Sequence, residues 1–143
     1  MNEKESINRI IEIVKRYNNK IYCYGAGFYG RITRAFLDEE GVDIKGFIVS
    51  DTSVNPKSVL RVPVISFDEY MKRRTDDDLV LLTVNEDYAR SIIQILTRNG
   101  IADYVCVHEE NIIQILKECK FSKDYTYGEQ VTVFVYHWVG CFS

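Results

Sequence analysis

An apolar run, Ile21-Tyr-Cys-Tyr24, leads without a gap into Gly25-Ala26-Gly27-Phe28-Tyr29-Gly30, and a helical pattern follows Gly30. A G-x-G-x-x-G between a strand and a helix constrains the fold more than any other feature of this chain. The first glycine permits a tight turn, the second lets backbone N–H groups approach a pyrophosphate, and the third lets the helix lie close on the strand. The start of the helix supplies the charge, because its unpaired N–H groups and the positive end of its dipole favour an anion without any catalytic side chain. The motif therefore speaks to binding and not to a reaction.

The rest of the chain repeats the same unit. Residues 6–17 place Ile7, Ile10, Ile11 and Val14 at helical spacing, with Ser6 as a candidate N-cap and Asn18-Asn19 as the stop. Strands are expected at residues 21–24, 44–50, 62–65, 79–84 and 102–107, the first, second and fourth of them nearly continuous in apolar side chains, as a sheet covered on both faces requires. Helices are expected at residues 28–39, 85–99 and 109–119, with a shorter one after Ser66 or Asp68 reaching Arg74. Residues 51–61, with Pro56, read as a loop, and Pro63, which cannot donate to a ladder, places its strand at a sheet edge. Short apolar strands alternating with helices imply right-handed β-α-β units and a three-layer, doubly wound parallel α/β sheet, with strand order 3-2-1-4-5. Residues 1–120 make up that domain. Residues 121–143, rich in Val, Tyr and Phe after a turn-like Lys123-Asp-Tyr-Thr-Tyr-Gly128, read as an extension: an extra edge strand, or a segment that packs against another domain or a second copy of the chain.

Composition removes several function classes. The chain's 143 residues suffice for one domain with its own core, and 46% hydrophobic with 27% charged residues is ordinary for a globular protein. Eighteen scattered basic residues against 21 acidic ones argue against a nucleic-acid partner. Cys23, Cys106, Cys119 and Cys141 form no C-x-x-C, and with two histidines they offer no zinc site, so reduced, packed thiols are expected. No apolar run reaches the roughly 18 residues of a membrane span, and the N-terminus lacks a signal-peptide core, so the expected location is cytoplasmic.

Residues beyond the turn extend the candidate site. In dinucleotide-binding folds an acidic residue at the end of the second strand, about 20 positions on, pairs with the ribose hydroxyls. Asp51 ends that strand, whereas Asp43 precedes it and lies at the wrong end of the sheet; the alternative role for Asp51 is to cap the turn that follows. As a ribose ligand Asp51 would repel a 2′-phosphate and favour NAD or a nucleotide sugar over NADP, an inference weakened by nearby Lys57 and Arg61. Arg31 and Arg34 follow the last glycine, where a guanidinium can reach a pyrophosphate or simply face solvent. Asn85 and Glu86 come just past the fourth strand, beside the crevice where strand order reverses, and Asn85 equally suits an N-cap. His108 ends the fifth strand on the same side, as a base or as an ordinary helix-start residue. No tyrosine is followed four positions later by lysine, as sugar-nucleotide epimerases and short-chain dehydrogenases need, and neither G-x-S-x-G nor a P-loop is present. A complete catalytic constellation is therefore missing.

Tyr24-Gly-Ala-Gly27-Phe-Tyr-Gly30, Ile44-Lys-Gly-Phe-Ile-Val-Ser-Asp51, and Val62-Pro-Val-Ile-Ser66 with Phe67-Asp-Glu-Tyr70 together resemble the nucleotide-sugar-binding or NAD-binding Rossmann domains of bacterial cell-surface polysaccharide biosynthesis proteins. Such domains precede sugar acetyltransferases, stand at the front of membrane-associated sugar dehydratases and accompany some glycosyltransferases. The resemblance spans residues 18–108 and implies that Gly25, Gly27 and Gly30 face a diphosphate and Asp51 the ribose or base, with NAD or a UDP-sugar as ligand. It departs from those proteins in lacking hexapeptide repeats and a dehydratase segment. The function expected is an accessory, nucleotide-binding domain. The alternatives are an NAD-dependent sugar oxidoreductase or epimerase-like enzyme completed by a partner, with His108 or Asn85 near the reacting carbon, and an interaction module whose crevice is plugged by Phe28, Tyr29 or the aromatic residues of the tail.

Overall fold

A computed structural model describes residues 6–119 of the chain. Its strands are β1 (Ile21–Tyr24), β2 (Gly46–Val49), β3 (Ser58–Val59), β4 (Val62–Ser66), β5 (Leu79–Leu82) and β6 (Tyr104–Cys106), and its α-helices are α1 (Ile7–Lys15), α2 (Phe28–Glu39), α3 (Phe67–Arg73), α4 (Glu86–Arg98) and α5 (Glu109–Glu118). They build an α/β fold with one mostly parallel sheet in the order β3-β4-β2-β1-β5-β6. Alternation along each strand divides the core into two layers. Ile21 and Cys23 of β1, Phe47 and Val49 of β2, and Leu79 and Leu81 of β5 point toward α1, α2 and α5, which contribute Ile10, Val14, Ile32, Leu37, Ile112 and Ile115. Tyr22, Tyr24, Ile48, Val80 and Leu82 point the other way, toward Tyr70 of α3 and Ile92 and Leu96 of α4. Every residue of β1, β2 and β5 is buried, which accounts for their unbroken apolar runs. Each fully buried aliphatic side chain in these layers contributes about 1.5–3 kcal/mol of transfer free energy.

The expected strand order is corrected by a sixth strand. Ser58 and Val59, read from sequence as loop, pair antiparallel with Pro63 and Val62, so β3 lies outside β4 and takes the edge. The remaining difference follows from it: β4, expected at the edge because of Pro63, is flanked on both sides. Pro63 is tolerated because it is exposed and its outer neighbour is only two residues long. The connection is a two-residue hairpin at Leu60 and Arg61, both with positive φ (47° and 67°), a geometry usually signalled by Asn-Gly. Burial of Leu60 to 7% exposure holds it in place. The preceding stretch also contains a 3-10 turn, Thr52–Val54. Residues 121–143, and with them the extra edge strand or partner segment and Cys141, fall outside the described residues.

Candidate functional site

The parallel register brings the C-terminal ends of β2, β1 and β5 side by side, and the glycine turn rises from the middle one. Gly25 adopts φ +117°, which L side chains avoid; a Cβ there would stand 2.7 Å from the Thr83 carbonyl oxygen. Its amide donates to the Ile48 carbonyl at 2.9 Å, and its carbonyl accepts the Thr83 hydroxyl at 2.8 Å, a bond the same hydroxyl shares with the Tyr24 carbonyl at 3.1 Å. Gly30 packs directly on Gly25: a Cβ would collide with the Gly25 carbonyl oxygen. Gly27, between them, is exposed, and nothing lies within 4 Å of where its Cβ would project. Two glycines thus hold the turn against the sheet and the third opens it to the outside.

The start of α2 differs from every other helix start among the described residues. Ser6, Ser66 and Asn85 cap α1, α3 and α4 through their side chains, and α3, α4 and α5 carry acidic residues in their first turns. α2 begins at Gly27 with no side-chain cap and no acid in its first turn. Its positive end, worth about half an elementary charge, has neither a side-chain cap nor a first-turn acid among the described residues. Arg31 adds to the field there. Its Nε donates to the Ala26 carbonyl at 3.0 Å, fixing the guanidinium beside the turn, and burial lowers its pKa from the usual value. Phe28 and Tyr29 are half-buried and pack against the core layer of α1, α2 and α5.

Two recesses flank the turn and share Val84. The first, about 280 Å³, is lined by Tyr24, Gly25, Ile48, Ser50, Asp51, Val54 and Tyr88 among others. Its walls are largely apolar, and Val54 (77% exposed) and Tyr88 (45%) are the exposed large hydrophobic side chains among the described residues. Asp51 is at the rim, and its Oδ1 accepts both the Ser53 amide at 2.9 Å and the Ser53 hydroxyl at 2.6 Å. These bonds hold its carboxyl below the ordinary range and cap the 3-10 turn. The carboxylate is therefore shaped by the turn while facing the recess. The Ser50 hydroxyl lies 2.7 Å from the Tyr88 phenol, and burial pushes up the pKa of Tyr24, to which Ser50 also hydrogen-bonds.

The second recess, about 320 Å³, is lined by Tyr29, Val84, Asn85, Glu86, Asp87, His108, Glu109 and Glu110. Asn85 caps α4 by accepting the Tyr88 amide at 2.9 Å. His108 Nδ1 stands 3.6 Å from Glu86 Oε1, and the His108 amide donates to Asn111 Oδ1 at 2.8 Å. Burial first, and then the carboxylates of Glu109, Glu110 and Glu86, raise the Tyr29 pKa. One recess is thus weakly polar and the other strongly negative.

Gly25, Ala26, Gly27, Phe28, Tyr29, Gly30, Arg31, Asp51 and Asn85 all fall on this end of the sheet. Arg34 does not: its guanidinium is 3.8 Å from Asp38 and 3.9 Å from Asp43, at the opposite end, where Asp43 also donates its amide to Asn18. Thr83, Ser50 and Tyr88 were missed from sequence. Their partners are 58, 38 and 38 residues away, beyond any local pattern. Among the described residues no cluster of three His, Cys, Asp or Glu could hold a metal, and no helix is long and apolar enough to cross a membrane. No protein-family model matches the chain, and no curated protein does.

Proposed function

We propose that the chain binds the diphosphate of a nucleotide sugar or of NAD at the Gly25–Gly30 turn, as an accessory module of surface-polysaccharide assembly. The observation that carries this reading is the start of α2, which has neither a side-chain cap nor an acid, with open space above Gly27. Backbone amides at such a helix start bind phosphoryl oxygens with the dipole aligned in their favour. The apolar recess lined by Val54 and Tyr88 suits a nucleoside base, with Asp51 at its rim for the ribose hydroxyls. The acidic recess receives whatever lies beyond the second phosphate. Four carboxylates there disfavour an anionic group, so neutral sugars or the cationic nicotinamide ring of NAD⁺ suit it better than a uronic acid. The role in polysaccharide assembly comes from the resemblance of the three quoted segments.

Titration calorimetry with ADP, NAD⁺ and UDP-sugars tests the reading on the wild type and on Gly27→Val. Charge-assisted bonds from one or two amides are worth about 1.5–3 kcal/mol each, so a side chain in that space lowers affinity at least tenfold. Absence of heat across the whole panel refutes the reading, as does unchanged affinity in the variant. A second reading, an NAD-dependent enzyme completed by a partner, draws on the His108–Glu86 pair beside the second recess. Cofactor reduction with candidate sugars in the presence of that partner separates the two.

A further inference from the structure

β6 is the last strand of the sheet, and no described strand lies on its outer side. The Val80 amide donates to the Asp103 carbonyl and the Val107 amide to the Leu82 carbonyl, both at 3.0 Å, so residues 103, 105 and 107 turn their main chain toward β5. The N–H and C=O groups of Tyr104 and Cys106 therefore point outward along an open edge. The opposite edge is blunted: β3 is two residues long and follows Pro56-Lys57. Residues 102–107 contain neither proline nor lysine. Tyr104, Val105 and Cys106 are only half-buried, whereas every residue of β1, β2 and β5 is buried. Beside them a recess of about 180 Å³ is lined by Val84, Ala89, Ile93 and Cys106 among others. Edge and recess together fit a strand that brings large apolar side chains.

We propose that residues 130–139 of this chain dock along β6 as an antiparallel strand, with Phe134, Tyr136 and Trp138 on the α4 face and Val131, Val133 and Val135 on the face of Val105. These residues lie outside the described part of the chain; their sequence, Gln130-Val-Thr-Val-Phe-Val-Tyr-His-Trp-Val139, is dominated by β-branched and aromatic side chains. Topology sets the direction. α2 carries the chain from β1 to β2 over one core layer, and α4 carries it the opposite way, from β5 to β6, over the other layer, so the two connections share one hand. α5 lies in the layer of α2, through Ile112, Ile115 and Leu116. A parallel strand outside β6 would therefore close a crossover of the opposite hand, and roughly 98% of such crossovers are right-handed. An antiparallel strand is free of that rule, provided the chain first returns to the C-terminal end of β6. α5 ends where α2 ends, since Glu118 and Cys119 share a groove with Glu39 and Glu40. The way back is about 15 Å, the length of the ten-residue α5, and residues 120–129 reach up to about 33 Å. A tethered segment within reach outcompetes a second copy of the chain, because its effective concentration is of order millimolar. The docking does not depend on a bound nucleotide.

Amide hydrogen exchange and NMR on the full chain test this. Val105 and Val107 face β5 and are protected in either case, so they are the internal reference. A docked strand slows exchange at Tyr104 and Cys106 by roughly a hundredfold or more relative to a bare edge, bringing all four amides to similar protection. Cross-strand contacts between Hα protons of residues 104–106 and 130–139, within one molecule, identify the antiparallel pairing. The full-length variant Phe134→Pro/Val135→Pro removes one inward-facing N–H whichever way the strand is turned, and is expected to restore fast exchange at Tyr104 and Cys106 while β1 and β5 stay protected. Fast exchange at Tyr104 and Cys106 in the wild type overturns the proposal, as does slow exchange that survives the double proline. Hα contacts that appear only between molecules in a half-labelled sample overturn it in favour of a second copy at the same edge, and protection without contacts to residues 130–139 overturns it in favour of another segment.

Discussion

Replacing Gly30 with alanine sets two effects of opposite sign against each other. In a helix interior, alanine is favoured over glycine by about 1 kcal/mol, so propensity alone raises stability. The surroundings of Gly30 reverse the sign. The new Cβ would collide with the Gly25 carbonyl oxygen and come within 3.2 Å of Phe47 Cε1. Neither neighbour yields easily: the Gly25 carbonyl is pinned by Thr83 Oγ1 at 2.8 Å, and Phe47 is fully buried between β1 and β4. Relief requires α2 to move off β1, an overpacking cost of about 3 kcal/mol or more. The net loss is then about 2–3 kcal/mol, or a fall in Tm of roughly 6–15 °C for a domain of this size. Gly27→Ala is the internal control. Its φ of −85° is outside the left-handed region and its Cβ meets nothing, so its stability stays within about 0.5 kcal/mol of wild type. Thermal unfolding followed by circular dichroism measures both. A Gly30→Ala variant as stable as wild type refutes the claim that close helix–strand packing is what this glycine provides.

Two further outcomes follow from the core. Asp78, whose side chain is 1% exposed, accepts the Thr75 amide at 2.8 Å and pairs with Lys45 at 3.0 Å, and Asp78→Ala strips both at once. Lys45 is 30% exposed and can turn to water, so the loss is about 2–4 kcal/mol by urea unfolding; less than 1 kcal/mol contradicts the pairing. Cys23 is fully buried, and desolvation pushes its thiol from 9.0 up to about 12. The unfolded chain then releases this proton first, so stability is full below pH 9 and falls as pH rises toward 12, by about 1.4 kcal/mol per unit for this group. Tyr22, Tyr24 and Tyr70, also raised chiefly by burial, add in the same direction above pH 10. Urea midpoints at pH 8, 9 and 10 measure this, and a flat profile in wild type, or an unchanged slope in Cys23→Ala, contradicts it.

What the sequence made legible was what repeats locally. α2 spans the residues its pattern marks, and Ser6, Ser66 and Asn85 cap the helices that follow them. These signals lie within one or two turns of chain, where spacing and capping chemistry decide the outcome. β3 was illegible for the opposite reason: two residues carry no alternation, and Leu60-Arg61 gives no sign of a hairpin because buried Leu60 holds its left-handed geometry. Arg34 misled because a cation three residues past the Arg31 position turns to the other end of its helix, where Asp38 and Asp43 already wait. At the site, the glycines were visible and their supports were not. Thr83 holds Gly25 from β5, and Tyr88 reaches Ser50 from α4, through contacts set by strand order. Asp51 was open between ribose ligand and turn cap; its Oδ1 serves Ser53 from the rim of the recess, a position that leaves the ribose role to a binding experiment.

The central claim is that the main-chain amides opening α2 receive a diphosphate. Amide chemical shifts in ¹H–¹⁵N spectra during titration with ADP report on those groups directly. The account predicts that the largest shifts fall on residues 26–30, with smaller ones at Asp51 and Tyr88, and that Gly27→Val abolishes them. Shifts confined to the acidic recess around Glu86 and Glu109, with residues 26–30 unmoved at saturation, contradict it.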